Sequence, residues 1–148
     1  MVNANYASVG GRMVAIIIDS IILIIVSGII AIPLGISATL FSAMGNPMNF
    51  APNFAFIGTF AVLNLVLWIL YFTYFEGSSG QTLGKKALGI KVVKETGKKL
   101  TYTDAFIRTI LRIIDSFGIY ILGLIVIMVS QKKQRIGDLA AHTIVVKA

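Results

Sequence analysis

RMVAIIIDSIILIIVSGIIAI, residues 12–32, decides the fold. Between Met13 and Ile32 lie 20 residues with two serines, one glycine and one charge, Asp19. That is the length and composition of a helix crossing the hydrocarbon core of a bilayer. An aspartate at such a depth costs about 2.5 to 3.5 kcal/mol on insertion-based scales, so it calls for a partner or a task. Arg12 stands seven residues away on the same helical face. Seven residues rise roughly 10 Å, however, and both side chains lean toward the helix N-terminus, so the two are not expected to touch. Arg12 can extend to the headgroups. Asp19 cannot, and its partner must come from elsewhere in the chain.

The rest of the composition agrees with a membrane setting. Of 148 residues, 57% are hydrophobic and 13% charged, against roughly 25% charged in soluble domains. Thirteen Lys and Arg against six Asp and Glu give a net charge of +7. Beside long apolar runs, that excess reads as juxtamembrane loops facing anionic lipid rather than as a nucleic-acid surface. With no cysteine, disulfides and thiol catalysis are excluded, and a single histidine builds no metal site alone. The first apolar run exceeds the 7–15 residues of a signal peptide and carries Asp19, so it reads as an uncleaved span. The Gly84–Lys86 GKK is no phosphate loop: position 79 is Ser where a Gly is required, and no Ser or Thr follows the lysine. Neither a cofactor nor an enzymatic nucleophile with its base can be assembled.

Span 1 is expected over 13–32, ending near Pro33. Span 2 is expected over 54–75, with Trp68, Tyr71 and Tyr74 as an interfacial belt. Residues 36–52 carry no charge, whereas residues 85–112 carry eight Lys or Arg. The positive-inside rule therefore puts 36–52 outside and both the N-terminus and the basic segment in the cytoplasm. LGIKVVK and KLTY around ETGK read as a β-hairpin within 85–102, with TIVVK in the tail, 131–148, as a third strand. DAFIRTILRIID puts Ile107, Ile110, Leu111 and Ile114 on one helical face and Asp104, Arg108, Arg112 and Asp115 on another. The following apolar run, 117–129, is short for a crossing and basic on both flanks. A re-entrant helical hairpin over 103–129 or a third span are the alternatives. The expected fold is thus a single all-α membrane domain: two transmembrane helices, a helical hairpin or third span, and a small cytoplasmic β-hairpin or three-stranded sheet.

Arg112 is the expected partner of Asp19, with Arg108 on the same stripe and Asp115 completing a buried network. Gly11, Ala15 and Asp19 recur every fourth residue, which allows another helix to approach closely. Such a network either fixes helix register or serves as an ion or proton site. Asp138, in RIGD, suits a helix cap, and His142 a surface position.

Taken together, Arg12, Asp19, GQTLGKKALGIKVV, RTILRIID and QRIGDLAAHTIVV resemble the RDD family of prokaryotic membrane proteins, named for one arginine and two aspartates. Arg12 and Asp19 take the first two positions. The second aspartate is Asp138, or alternatively Asp115. At His142 the family pattern has a glycine. The resemblance implies a multi-span membrane domain with a role in transport, sodium/proton antiport having been proposed for some members. The expected protein is a multi-pass, oligomeric subunit of the cell membrane handling a monovalent cation or proton, without cofactor or nucleic acid. The alternative is a noncatalytic scaffold that docks a cytoplasmic partner or anionic lipid.

Overall fold

The structure is a computed structural model that describes residues 5–44, 51–116 and 134–148, without the side chains of 37–43, 51–53, 55 and 114–116. It is mostly helical. In chain order the elements are α1 (Val9–Met44), α2 (Ala51–Ser79), α3 (Leu83–Ala87), β1 (Ile90–Lys94), α4 (Tyr102–Ser116), α5 (Ile136–Ala140) and β2 (Thr143–Lys147). The apolar run 117–129, and with it the choice between hairpin and third span, lies outside the described residues.

Two helices among the described residues are long and apolar enough to cross a membrane, over Val9–Ile36 and Phe56–Ser79. The expected ends of span 1 need correction. α1 continues past Pro33 to Met44 without a break. Proline removes one hydrogen bond from the helical ladder. In a stretch with few polar side chains to take over backbone groups, staying helical keeps the remaining ones paired. α2 likewise runs past Phe75 to Ser79 and ends at Gly80, whose positive φ of 74° suits glycine.

The chain forms two compact units. Ser20–Trp68 takes in α1 beyond Asp19 and α2 as far as Trp68. Here Ser27 donates a short hydrogen bond to Asn64, whose Nδ2 donates to the Phe60 carbonyl at 2.9 Å. The other unit, Met1–Asp19 with Ile69–Ala148, contains everything else. Its sheet has two antiparallel strands, with Val92 opposite Val145 and Lys94 opposite Thr143. The strand expected at KLTY does not form. Leu100 is buried, and Thr101 caps α4: its hydroxyl accepts the Asp104 N–H at 3.2 Å while the Asp104 carboxylate accepts the Thr101 N–H at 2.9 Å. The N-terminal segment lies along the other edge of β2 instead, with Ala7 N–H on the Val145 carbonyl at 3.0 Å and Lys147 N–H on the Asn5 carbonyl at 2.9 Å.

α3 was not expected. Thr82 is its N-cap, accepting the Lys85 N–H at 3.3 Å. α3 packs so tightly on α1 that a Cβ at Gly84 would collide with the Ala15 carbonyl. The small-residue stripe of α1 therefore serves a close approach, by α3. α4 is amphipathic as expected, but it turns its charged stripe inward. Ala105, Arg108, Thr109 and Arg112 are buried, while Tyr102, Phe106 (47% exposed) and Ile107 (39%) face outward.

Candidate functional site: a buried charge cluster

Two helices, α3 and α4, aim three cationic side chains at Glu76, in the last turns of α2. Its Oε1 accepts from Lys85 Nζ of α3 at 2.6 Å and from Arg112 Nη2 of α4 at 2.8 Å; its Oε2 accepts from Arg108 Nε at 3.0 Å. All four residues are buried. Phe72, one turn before Glu76, lies under the Arg112 guanidinium at 4.1 Å from ring centroid to Cζ, a cation–π contact that supports Arg112 from its apolar side.

Arg108 joins this carboxylate to a second one. Its Nη1 lies 2.5 Å from Asp138 Oδ1 and also donates a short hydrogen bond to the Thr143 hydroxyl. Asp138 Oδ2 accepts from Arg12 Nη1 at 3.3 Å and from the Arg135 backbone N–H at 3.1 Å. Asp138 is thus the third residue of α5 and caps it, while its carboxylate ties α5 to α1 and α4. Arg12 also donates to the Val145 carbonyl at 3.4 Å. Beside the cluster, Gln134 Nε2 donates to the Thr143 carbonyl at 2.8 Å and to Glu95 at 2.7 Å.

The electrostatics follow from burial and neighbours. Burial pushes the Lys85 ammonium down, the Glu76 carboxylate opposes this, and the two arginines add to the fall, leaving Lys85 at about 8. Burial alone would raise Asp138, but Arg108, Arg135 and Arg12 outweigh it and hold the carboxyl below its ordinary value. Burial would likewise lower Arg108, and Asp138 and Glu76 more than compensate.

Asp19 belongs to a different constellation. It is fully buried and accepts from the Tyr71 hydroxyl at 2.7 Å, the Thr82 hydroxyl at 2.6 Å and the Gly84 N–H at 2.7 Å. Arg112 is not its partner, contrary to expectation, because α3 occupies the approach to Asp19 and Glu76 takes the arginine. Arg12 and Asp19 do not pair, as the helical rise requires.

Of the residues expected at the site, Arg12, Arg108, Arg112 and Asp138 come together, Asp19 stands apart among neutral donors, and the Asp115 side chain lies outside the described residues. His142 is exposed, as expected for a surface residue. It also has a φ of 49°, the left-handed region where glycine is favoured.

Sequence reasoning missed Glu76, Lys85, Thr82 and Tyr71. Glu76 falls one residue beyond the expected span. With only six acidic residues in the chain, one at a span end is itself a signal for a buried partner. Tyr71 fits the pattern of an interfacial belt, and nothing in its sequence context distinguishes that role from a bond to a carboxylate.

A family model, RDD family, matches residues 6–142. The chain belongs to the RDD family. The match takes in the N-terminal arginine segment, both apolar helices and the tail as far as His142. With Asp138 taken as the second RDD aspartate, Arg12 and Asp138 are ion-paired at 3.3 Å, while the first aspartate, Asp19, docks α3. No curated protein and no solved structure matches the chain.

Proposed function

We propose that this RDD protein is an integral membrane protein, crossing the bilayer with α1 and α2, and a noncatalytic subunit of a small transporter for a proton or monovalent cation, with the buried charge cluster as its working element. The observation that carries this reading is an inverted distribution of polarity. Ile24 (69% exposed) and Ile29 (64%) on α1, and Ile57, Val62 and Leu70 on α2, are exposed, while Arg12, Asp19, Glu76, Lys85, Arg108, Arg112 and Asp138 are buried. In the most apolar windows of α1 and α2 only 11% and 6% of the residues are buried. A core helix of a water-soluble protein has the opposite distribution, and an apolar exterior of this extent is what a bilayer covers.

The N-terminal segment, β1 and β2 are hydrogen-bonded to one another, so they share one side of the membrane. The positive-inside rule makes that side the cytoplasm of a cell whose plasma membrane holds the protein. Two crossings, with either a hairpin or a third span over 117–129, are too few to enclose a path, so the working form is a homo-oligomer. A metal cation entering the cluster would meet Arg12, Lys85, Arg108 and Arg112 around two carboxylates. The geometry therefore favours exchange of a proton there.

The scaffold reading has its own support. The carboxylate of Asp19 already accepts three hydrogen bonds, and Lys86, Lys98, Lys99 and Lys147 are exposed toward anionic lipid or an acidic partner. The two readings separate in vesicles that hold purified protein and an internal pH dye. Under a sodium, potassium or lithium gradient the transporter reading predicts a pH change that protein-free vesicles lack. No change between pH 6 and 9 would leave the scaffold.

A further inference from the structure

α3 is only five residues long, yet two buried acidic side chains hold it. Asp19 of α1 accepts from Thr82 and Gly84 at its start, and Glu76 of α2 accepts from Lys85 in its middle. The charge of Glu76 is already met by Arg108 on one oxygen and by Arg112 on the other. Lys85 Nζ shares Oε1 with Arg112, so a third cation sits on one carboxylate with almost no access to water. Among the other described acidic side chains, Asp138 is engaged with Arg12 and Arg108, Asp104 with Lys94, Glu95 with Gln134, and Asp19 with neutral donors. A guanidinium stays protonated at any physiological pH, whereas a buried ammonium does not.

We propose that Lys85 is the proton-exchanging residue of the cluster, and that loss of its proton weakens the tie between α3 and α2 while Asp19 keeps α3 on α1. In the step, an Nζ–H bond breaks, its electron pair stays on nitrogen, and the proton passes to solvent water or hydroxide. The neutral amine can still donate a hydrogen bond to Glu76, but the ion pair is gone. Glu76 of α2 and Arg108 and Arg112 of α4 act on this balance directly, Glu76 favouring the ammonium and the two arginines opposing it. The other charged or titratable groups around them are Arg12 and Asp19 of α1, Tyr71 of α2, and Arg135 and Asp138 at α5, and β1, which also packs on α3, carries Lys91 and Lys94. The inference deepens the transporter reading and rests on it for its function, but its chemistry can be tested separately.

The full chain would be labelled with 13C at lysine Cε, placed in lipid nanodiscs and titrated by NMR, with the Lys85 resonance assigned by its absence in Lys85→Arg and again in Lys85→Gln. The expected midpoint for Lys85 is about 8, against the ordinary 10.5 for solvated lysines. A midpoint of 10 or above would overturn the proposal. In the vesicle assay Lys85→Arg, which keeps the charge but cannot release it, is expected to abolish proton exchange. Exchange that survives Lys85→Arg also overturns the proposal. A midpoint near 8 in a protein that moves no ions would uphold Lys85 as the labile group and overturn the transporter reading instead.

Discussion

Asp19 and Arg112 illustrate how a charge can be read from sequence while its partner is not. Burial of Asp19 follows from its position in an apolar span. Its partners are two hydroxyls and one backbone N–H, and neutral donors leave no charge pattern to find. A double-mutant cycle separates the two pairings. Asp19→Ala strands three donors and is expected to cost at least about 3 kcal/mol. Combined with Arg112→Ala, its effect should add within roughly 0.5 kcal/mol, whereas Glu76→Ala and Arg112→Ala should couple by about 1 to 3 kcal/mol. Thermal unfolding in detergent measures both, and coupling of Asp19 to Arg112 would contradict the site geometry. His142 offers the opposite case, a departure from the family pattern whose reason is visible only in the backbone. The left-handed conformation costs a non-glycine residue about 1 to 2 kcal/mol, and glycine's extra unfolded freedom returns about half of that. His142→Gly is therefore expected to stabilise by roughly 0.5 to 1 kcal/mol in the same assay.

At the scale of elements, what the sequence could specify was determined by run length and local periodicity. α1 and α2 are long apolar runs, α4 is strongly periodic, and TIVVK pairs in a sheet as expected. KLTY alternates like a strand, yet T-x-x-D at Thr101–Asp104 is also a capping box, and the cap prevails because α4 needs its first N–H groups satisfied. α3 is too short to show any period. Its existence depends on Thr82 as cap and on Gly84, where the helix backbone meets the Ala15 carbonyl. Gly84→Ala should force α3 away from α1 and lengthen the Asp19 hydrogen bonds, at an expected cost of about 2 kcal/mol or more. Hydrogen exchange at the Gly84 amide provides a local readout. Protection unchanged from the parent would show that the contact has room to give.

At the scale of the whole molecule, among the described residues, seven ionisable side chains are buried while many isoleucines, leucines and valines of α1 and α2 are exposed. α4 repeats in 15 residues what α1 and α2 do at membrane length: Arg108 and Arg112 point into the cluster and Phe106 and Ile107 point away from it. The two long apolar helices were legible because composition and run length suffice for them. The cluster was only half legible, since Glu76 and Lys85 lie outside the expected spans and join Arg108 through tertiary packing alone. The proposed topology has α1 and α2 crossing the bilayer, with the N-terminal segment, β1 and β2 on the cytoplasmic side. Single cysteines at Ser42, Lys94 and Lys147, in a chain that has none of its own, test it with an impermeant thiol reagent. The account predicts labelling at position 42 in intact cells, and at 94 and 147 only after the membrane is opened. Labelling of 94 or 147 in intact cells, or recovery of the protein in the soluble fraction with 42 unlabelled until lysis, would contradict it.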